Sequence, residues 1–228
     1  MLRITWYGHA CFRLEGGGVS IVTDPYTPER AGLRPVDEPA DAVIMSSATD
    51  RAHSCAAMVP GSPDVLDALD AVDAPRVVAG SVEVQAVGAN EGTNRPDAPK
   101  DNALYRFELD GIAVCHMGDV GVALSETQLD PLRGRVDVLL ALAGANLTIP
   151  LPDLDQAIDE IGPRVVIPMH YRTPSLRYTA GPVEDFLERR TGDHIVKHDG
   201  SVLELSRAAL GDDRLTIHVL RPAADPLA

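Results

Sequence analysis

The chain has 228 residues, 45% of them hydrophobic and 24% charged, proportions that allow a sizeable buried core and exclude a disordered or fibrous chain. Acidic residues outnumber basic ones 34 to 20, leaving a formal charge of −14, which repels duplex nucleic acid and anionic membranes and argues against both as partners. The longest apolar stretch, Val138 to Ala145, is far too short to cross a bilayer.

Short β-branched runs bounded by Gly, Asp or Pro predict strands, the first two over Val19–Thr23 and Ala42–Met45. Asp64 to Asp73 is ambiguous: Val65, Leu66, Leu69 and Val72 have helical spacing, yet Pro63 to Leu66 also reads as a short strand. A strand over Val82–Val87 follows, then a surface loop over Ala89 to Asp101, rich in Asn, Gly and Pro, then a strand over Ile112–Cys115. Ser125-x-x-Gln128 and Asp153-x-x-Gln156 look like capping boxes that open helices on either side of a strand over Val136–Leu142. The second helix continues through Leu154, Ala157, Ile158 and Ile161 and should stop at Gly162-Pro163. Val165–Ile167 is the next strand, Pro182–Arg190 a third helix, and Ser201–Leu205 and Leu215–Leu220 the last strands. No linker, low-complexity tract or short-period repeat interrupts residues 1–228, so one domain is expected.

Cys11, Cys55 and Cys115 are far apart, odd in number and without a CxxC pair, a pattern that argues against a disulfide framework. Met1 to Trp6 has no basic-then-apolar leader. Both features predict a cytoplasmic protein.

Several predicted strands end on polar residues that a purely structural strand does not require. Asp24 follows Ile21-Val22-Thr23; Ser46 to His53 follows Val43-Ile44-Met45; Asp119 closes Cys115-His116-Met117-Gly118-Asp119; His170 follows Ile167-Pro168-Met169. One such residue alone is explained by a turn or a satisfied core histidine. Four strand ends in one chain point to a site.

Trp6-Tyr7-Gly8-His9-Ala10-Cys11-Phe12, Thr23-Asp24-Pro25, His116-Met117-Gly118-Asp119-Val120-Gly121 and Pro168-Met169-His170-Tyr171-Arg172-Thr173, in that order, resemble the metallo-β-lactamase superfamily, in its branch of UlaG-like Zn-dependent hydrolases. The resemblance spans nearly the whole chain. It implies an α+β fold, a four-layer αββα sandwich with the site at one edge, and it favours the strand over Pro63 to Leu66. It also implies two metal ions, usually zinc, held by an HxHxDH loop, a later His, a bridging Asp and a final His.

Laid onto this chain, those positions fall on Ser47, Thr49, Arg51, Ala52, Asn90, Asp119 and His170, of which only Asp119 and His170 match. Leu139 to Ala145 also departs from the family's Pro-x-Gly-Gly tendency. Zinc needs three or four N, S or O donors at about 2.0–2.3 Å, and neutral hydroxyls and amides serve it poorly. The two-metal centre is therefore expected to be absent. A guanidinium at 51 opposes a cation, and an Arg51–Asp119 ion pair, with His170 beside it, is expected to hold the site together instead. His53, His116 and His9 are the candidate substitute ligands, each expected to be structural rather than ligating; His53, one position past the expected ligand, serves only if the loop shifts. His116 and His9, with Asp24, are expected to support the site from behind, and no spacing recommends Cys55 or Cys115 as ligands.

Three functions compete. The first is a metal-free, non-hydrolytic module that binds a small polar or anionic molecule in a cleft of Ser47, Thr49, Arg51, Asn90, Asp119 and His170, with no cofactor. A protein partner or homo-oligomer is compatible with it. The second is a hydrolase using one zinc or manganese ion on Asp119, His170 and a recruited histidine. The third is acyl transfer by Ser46 or Ser47 with His170 and Asp119, although no GxSxG elbow is present.

Overall fold

A computed structural model of the chain describes residues 1–74, 76–92, 99–211 and 214–226. The chain first lays down β1 (Leu2–Gly8), β2 (Cys11–Gly16), β3 (Val19–Thr23), β4 (Ala42–Met45) and β5 (Asp64–Asp67). It then adds β6 (Val77–Ala79), β7 (Val82–Ala89), β8 (Asn102–Leu109), β9 (Ile112–His116), β10 (Val138–Leu142), β11 (Val165–Met169), β12 (His194–Lys197), β13 (Val202–Leu205) and β14 (Thr216–Val219). One sheet has the order β13-β1-β2-β3-β4-β5 and the other β12-β14-β11-β10-β9-β8-β7-β6. Both are mixed: β3, β4 and β5 run parallel, as do β9, β10, β11, β14 and β12, while the remaining pairs are antiparallel.

The period-2 alternation of the first sheet decides which faces meet. Ile4, Trp6, Phe12, Leu14, Ile21, Ala42 and Ile44 join one core with Leu104, Tyr105, Val114 and Leu139 of the second sheet. Tyr7, Val22, Val43 and Met45 point the other way, into a smaller cluster closed by Tyr26, Ala31, Leu33 and Val59. The strands of an α+β sandwich are thus covered on both faces, as their near-continuous apolar runs require.

Four α-helices flank the sheets among the described residues: α1 (Pro28–Ala31), α2 (Glu126–Leu129), α3 (Leu151–Ile161) and α4 (Val183–Arg189). At α2 the Gln128 side chain accepts from the Ser125 N–H at 2.9 Å, the reciprocal half of the predicted box. α3 buries Leu154, Ala157, Ile158 and Ile161 and ends on Gly162 at φ +67, as predicted. Its start differs: the helix opens at Leu151 behind Pro150, not at Asp153. Pro152 lacks an N–H that the first turn would leave unpaired, so the turn forms there and Asp153 sits inside it, against the helix dipole.

The ambiguous stretch divides between its two readings. Asp64–Asp67 pairs in parallel with β4, and Asp67 then caps a short 3₁₀ turn over Ala68–Ala71 by accepting from the Leu69 N–H at 3.0 Å. Of the predicted 89–101 loop, residues 93–98 lie outside the described residues. No described helix is long and apolar enough to cross a membrane.

Candidate metal centre

The ends of β1, β3, β4, β9 and β11 carry the polar residues, and three of these adopt left-handed backbone: His9 at φ +53, Asp24 at +38 and His170 at +55. Non-glycine residues are uncommon there and concentrate where the surroundings impose the conformation for a purpose. Gly118 (φ +62) makes a crowded turn: a Cβ on it would lie 2.6–2.7 Å from the Asn102 oxygen, the Ala103 carbonyl and Ser46. That turn lets the Gly118 N–H donate to His116 Nδ1 at 2.9 Å, and the Asp119 N–H donate to Asn102 Oδ1 at 3.0 Å.

Asp24 is fully buried and organises the site. Its Oδ1 accepts from the Ser46 N–H (2.7 Å) and the Tyr105 hydroxyl (3.0 Å). Its Oδ2 accepts from the Ser46 hydroxyl (2.7 Å) and faces His53 Nδ1 (2.9 Å). Burial alone would raise this carboxyl, but the fields of His116 and His53 and the hydrogen bonds from His53 and Ser46 outweigh it and hold it below its ordinary value.

With Nδ1 committed to Asp24, His53 aims Nε2 at Asp119 Oδ2 (3.4 Å) and Asp50 Oδ2 (3.6 Å). Despite complete burial, Asp119 and Asp24 together push its pKa well above the usual value. Asp119 in turn faces His170 Nε2 at 3.5 Å. Burial opposes ionisation of Asp119, yet His53 and then His170 pull its pKa down to about 2. Burial lowers the His170 and, more strongly, the His9 imidazole. Glu91, next to Asn90, is pushed up to about 7 by burial and by the fields of Asp119, Asp50 and Asp101.

Several expectations are corrected. Arg51 does not pair with Asp119: it is exposed, makes no ion pair among the described residues, and meets Thr27 only through its carbonyl. Asp119 has two imidazoles beside it, so a guanidinium gains nothing by leaving water there. The reason is local geometry. Residues 50–53 form a turn in which the Asp50 carboxylate accepts from the Ala52 N–H (2.9 Å) and the Asp50 carbonyl from the His53 N–H (3.1 Å). That turn brings Asp50 and His53 inward, where the resemblance had placed the adjacent pair Arg51 and Ala52. His53, expected to be structural unless the loop shifted, is therefore inside the site, and Asp50 was missed altogether; its signal was the Asp-x-x-His spacing.

Asn90 does not face the cleft either. Its amide donates to the Pro99 carbonyl (2.6 Å) and its oxygen accepts from Lys100 (3.0 Å). Ser47 and Thr49 bond each other at 3.0 Å. Ser46 is committed to Asp24, which removes it as a free nucleophile. His116 uses both ring nitrogens, accepting from Gly118 and standing 2.8 Å from the Ala10 carbonyl, so it braces β9 against the β1–β2 turn. Cys11 and Cys115 are buried free thiols and Cys55 is half-buried; none joins a donor cluster among the described residues.

The remaining donors fit a cation. His53 Nε2, Asp119 Oδ1, His170 Nδ1 and His9 Nδ1 are buried polar atoms without a hydrogen-bond partner, each a penalty of about 1–3 kcal/mol if nothing satisfies it. Asp50, His53 and Asp119 converge so that one donor atom from each lies within 4.8 Å of the others. The 3.4–3.6 Å separations around His53 and Asp119 are close to the ~3.4 Å edge of a tetrahedron of donors at about 2.1 Å from one ion.

Known proteins share this chain's sequence and fold. The sequence profile of the beta-lactamase superfamily domain matches residues 3–170. A UPF0173 metal-dependent hydrolase of Methanoculleus marisnigri is 30% identical over 83% of this chain and 90% of its own length. Another, from Thermococcus onnurineus, is 26% identical over 90% of this chain and 100% of its own. A Thermotoga maritima crystal structure, named for a Zn-dependent hydrolase of the metallo-β-lactamase superfamily, is 30% identical and superposes with a TM-score of 0.73 over 96% of this chain and 99% of its own.

Proposed function

The chain belongs to the metallo-β-lactamase superfamily, and from that premise we propose that it is a metal-dependent hydrolase with a single-ion centre held by Asp50, His53, Asp119 and His170. The observation that carries this is His53, locked by Asp24 through Nδ1 while its buried Nε2 has no hydrogen-bond partner and faces two carboxylates. A carboxylate behind a ligating imidazole fixes its tautomer and raises its basicity. A bound zinc or manganese ion would supply Lewis acidity and, at a coordination position beyond the protein ligands, a water that ionises near neutral pH.

The chain's own residues do the rest. Asp24 keeps His53 in one orientation, and the Gly118 turn presents Asp119 between two imidazoles. Ser47, Thr49 and Asn90 stand where a second ion's ligands are expected from the resemblance, and their hydrogen bonds turn them elsewhere; this bears on the number of ions rather than on the chemistry. The names of the relatives and this donor set lend no support to a non-hydrolytic binding module. Arg51, exposed on the loop that carries Asp50 and His53, supports a substrate with a carboxylate or phosphate group.

Elemental analysis of protein purified with zinc or manganese, then dialysed, tests the proposal. About one equivalent should remain in the wild type and be lost in Asp119→Asn. Hydrolysis of a panel of activated esters and phosphoesters should stop with a chelator and return with the metal. Sub-stoichiometric metal after mild dialysis would overturn the proposal.

A further inference from the structure

His9 occupies a position that support from behind does not explain. It follows Gly8 in the β1–β2 connection, where the ladder slips between Trp6 and Gly8. Gly8 takes φ +122 and His9 φ +53, and such an irregularity re-aims a side chain at the end of a hairpin. The His9 carbonyl accepts from the Trp6 indole (3.1 Å) and from the His170 N–H (2.9 Å). The main chain of His9 is thereby clamped to that of a proposed ligand.

The ring is almost wholly buried. Its centroid lies 4.0 Å from that of His170, 4.7 Å from that of His53 and 4.8 Å from that of Tyr178. Were His9 only a spacer in this stack, a phenyl ring would fill the space without a buried polar atom. Instead Nδ1 has no partner, against the general rule for buried polar groups. One ring nitrogen from each of His9, His53 and His170 lies within 4.8 Å of the other two, so His53 belongs both to this imidazole group and to the one it forms with Asp50 and Asp119.

We propose that His9 is itself a metal ligand, giving the single-ion centre three imidazoles, those of His9, His53 and His170. The proposal rests on the metal centre described above. It also narrows the ion: a donor set rich in imidazole suits zinc, copper or nickel better than manganese or magnesium, which favour oxygen.

The probes are metal ions alone. Zinc affinity is measured by competition with a chromogenic chelator for the wild type, His9→Phe, His9→Gln and, as a control at an exposed ion pair with Glu83, Arg76→Ala, each first shown to unfold cooperatively near the wild-type temperature. The Cu²⁺-loaded forms are then compared by the nitrogen superhyperfine splitting in their EPR spectra. His9→Phe keeps the ring stack, and His9→Gln is the second variant should the phenyl not be accommodated. The expected result is a loss of zinc affinity of about tenfold or more in both His9 variants, no change in Arg76→Ala, and a fall from three coupled nitrogens to two. Wild-type binding with an unchanged nitrogen count in the His9 variants would overturn the role of His9 and leave the single-ion centre standing. Absence of binding by the wild type would overturn the centre itself, and the role of His9 with it.

Discussion

Asp24 shows how one residue type at one strand end acquires a role. A buried carboxylate is expensive unless donors surround it, and Asp24 receives Ser46 twice, Tyr105 and His53. Asp24→Asn would turn an amide N–H₂ toward one of those donors and leave His53 without its counter-charge. We expect a loss of about 3 kcal/mol of stability, read as a lower urea midpoint at unchanged slope, together with weaker zinc binding. A variant with wild-type stability would show that the four hydrogen bonds do not act as a unit. Asp24, Asp119 and His170 were legible in the sequence because each is a polar residue closing an apolar run. Asp50 and His53 were not, because a motif with an adjacent Asp-His pair does not reveal a turn that sets the two three positions apart, and Arg51 was assigned a partner that the turn gives to histidine.

Most elements followed from pattern: β3, β4, β7, β9, β10, β11, β13 and β14 match predicted runs within a few residues. β1, β2, β6, β8 and β12 did not: β6 and β12 are short edge strands, and Arg3 and Thr5 in β1, Arg13 and Glu15 in β2, and Arg106 and Glu108 in β8 interrupt the apolar runs. Asp67 illustrates what an element end contributes to the site. It caps the turn after β5 through Leu69 and also accepts from the Ala48 N–H at 3.1 Å, inside the loop that carries Asp50 and His53. Asp67→Ala should lower stability by about 1 kcal/mol, the usual effect of a lost cap, and loosen that loop, seen as faster amide exchange at residues 48–53. Unchanged exchange there would separate the cap from the site.

At the far edge of the larger sheet, His198 and His218 stand 2.8 Å apart. Burial, then the fields of His198 and His194, lowers the His218 pKa to about 4 from its ordinary 6.5. As pH falls through this window the unfolded chain takes up a proton that the folded chain refuses, so stability declines between about pH 6.5 and pH 4 and the term is constant below. The ring is partly exposed, so the decline due to His218 should be of order 1 kcal/mol after solvent screening. Denaturation series at several pH values should show a flatter profile for His218→Asn than for the wild type; identical profiles would assign the acid sensitivity elsewhere.

Across the molecule, the sandwich matters because it gathers residues that lie far apart in sequence. His9 comes from the β1–β2 turn, Asp50 and His53 follow β4, Asp119 follows β9 and His170 follows β11, so the donors come from both sheets. The order of motifs announced this architecture, whereas strand periodicity alone did not say which sheet each strand would join; β13, for example, returns to pair with β1 at the opposite end of the chain. An unfolded chain cannot hold these groups together, so an ion that binds them stabilises only the folded state. At a free concentration of 100 times Kd the gain is about 2.7 kcal/mol, which for a chain of this length raises Tm by roughly 5–10 °C. With a formal charge of −14, any divalent salt also relieves self-repulsion, so Mg²⁺ at equal ionic strength is the control. Zinc should raise Tm well beyond Mg²⁺ in the wild type and no further than Mg²⁺ in Asp119→Asn. Equal shifts from the two ions in the wild type would mean that charge screening, and not a site assembled by the fold, produced the stabilisation.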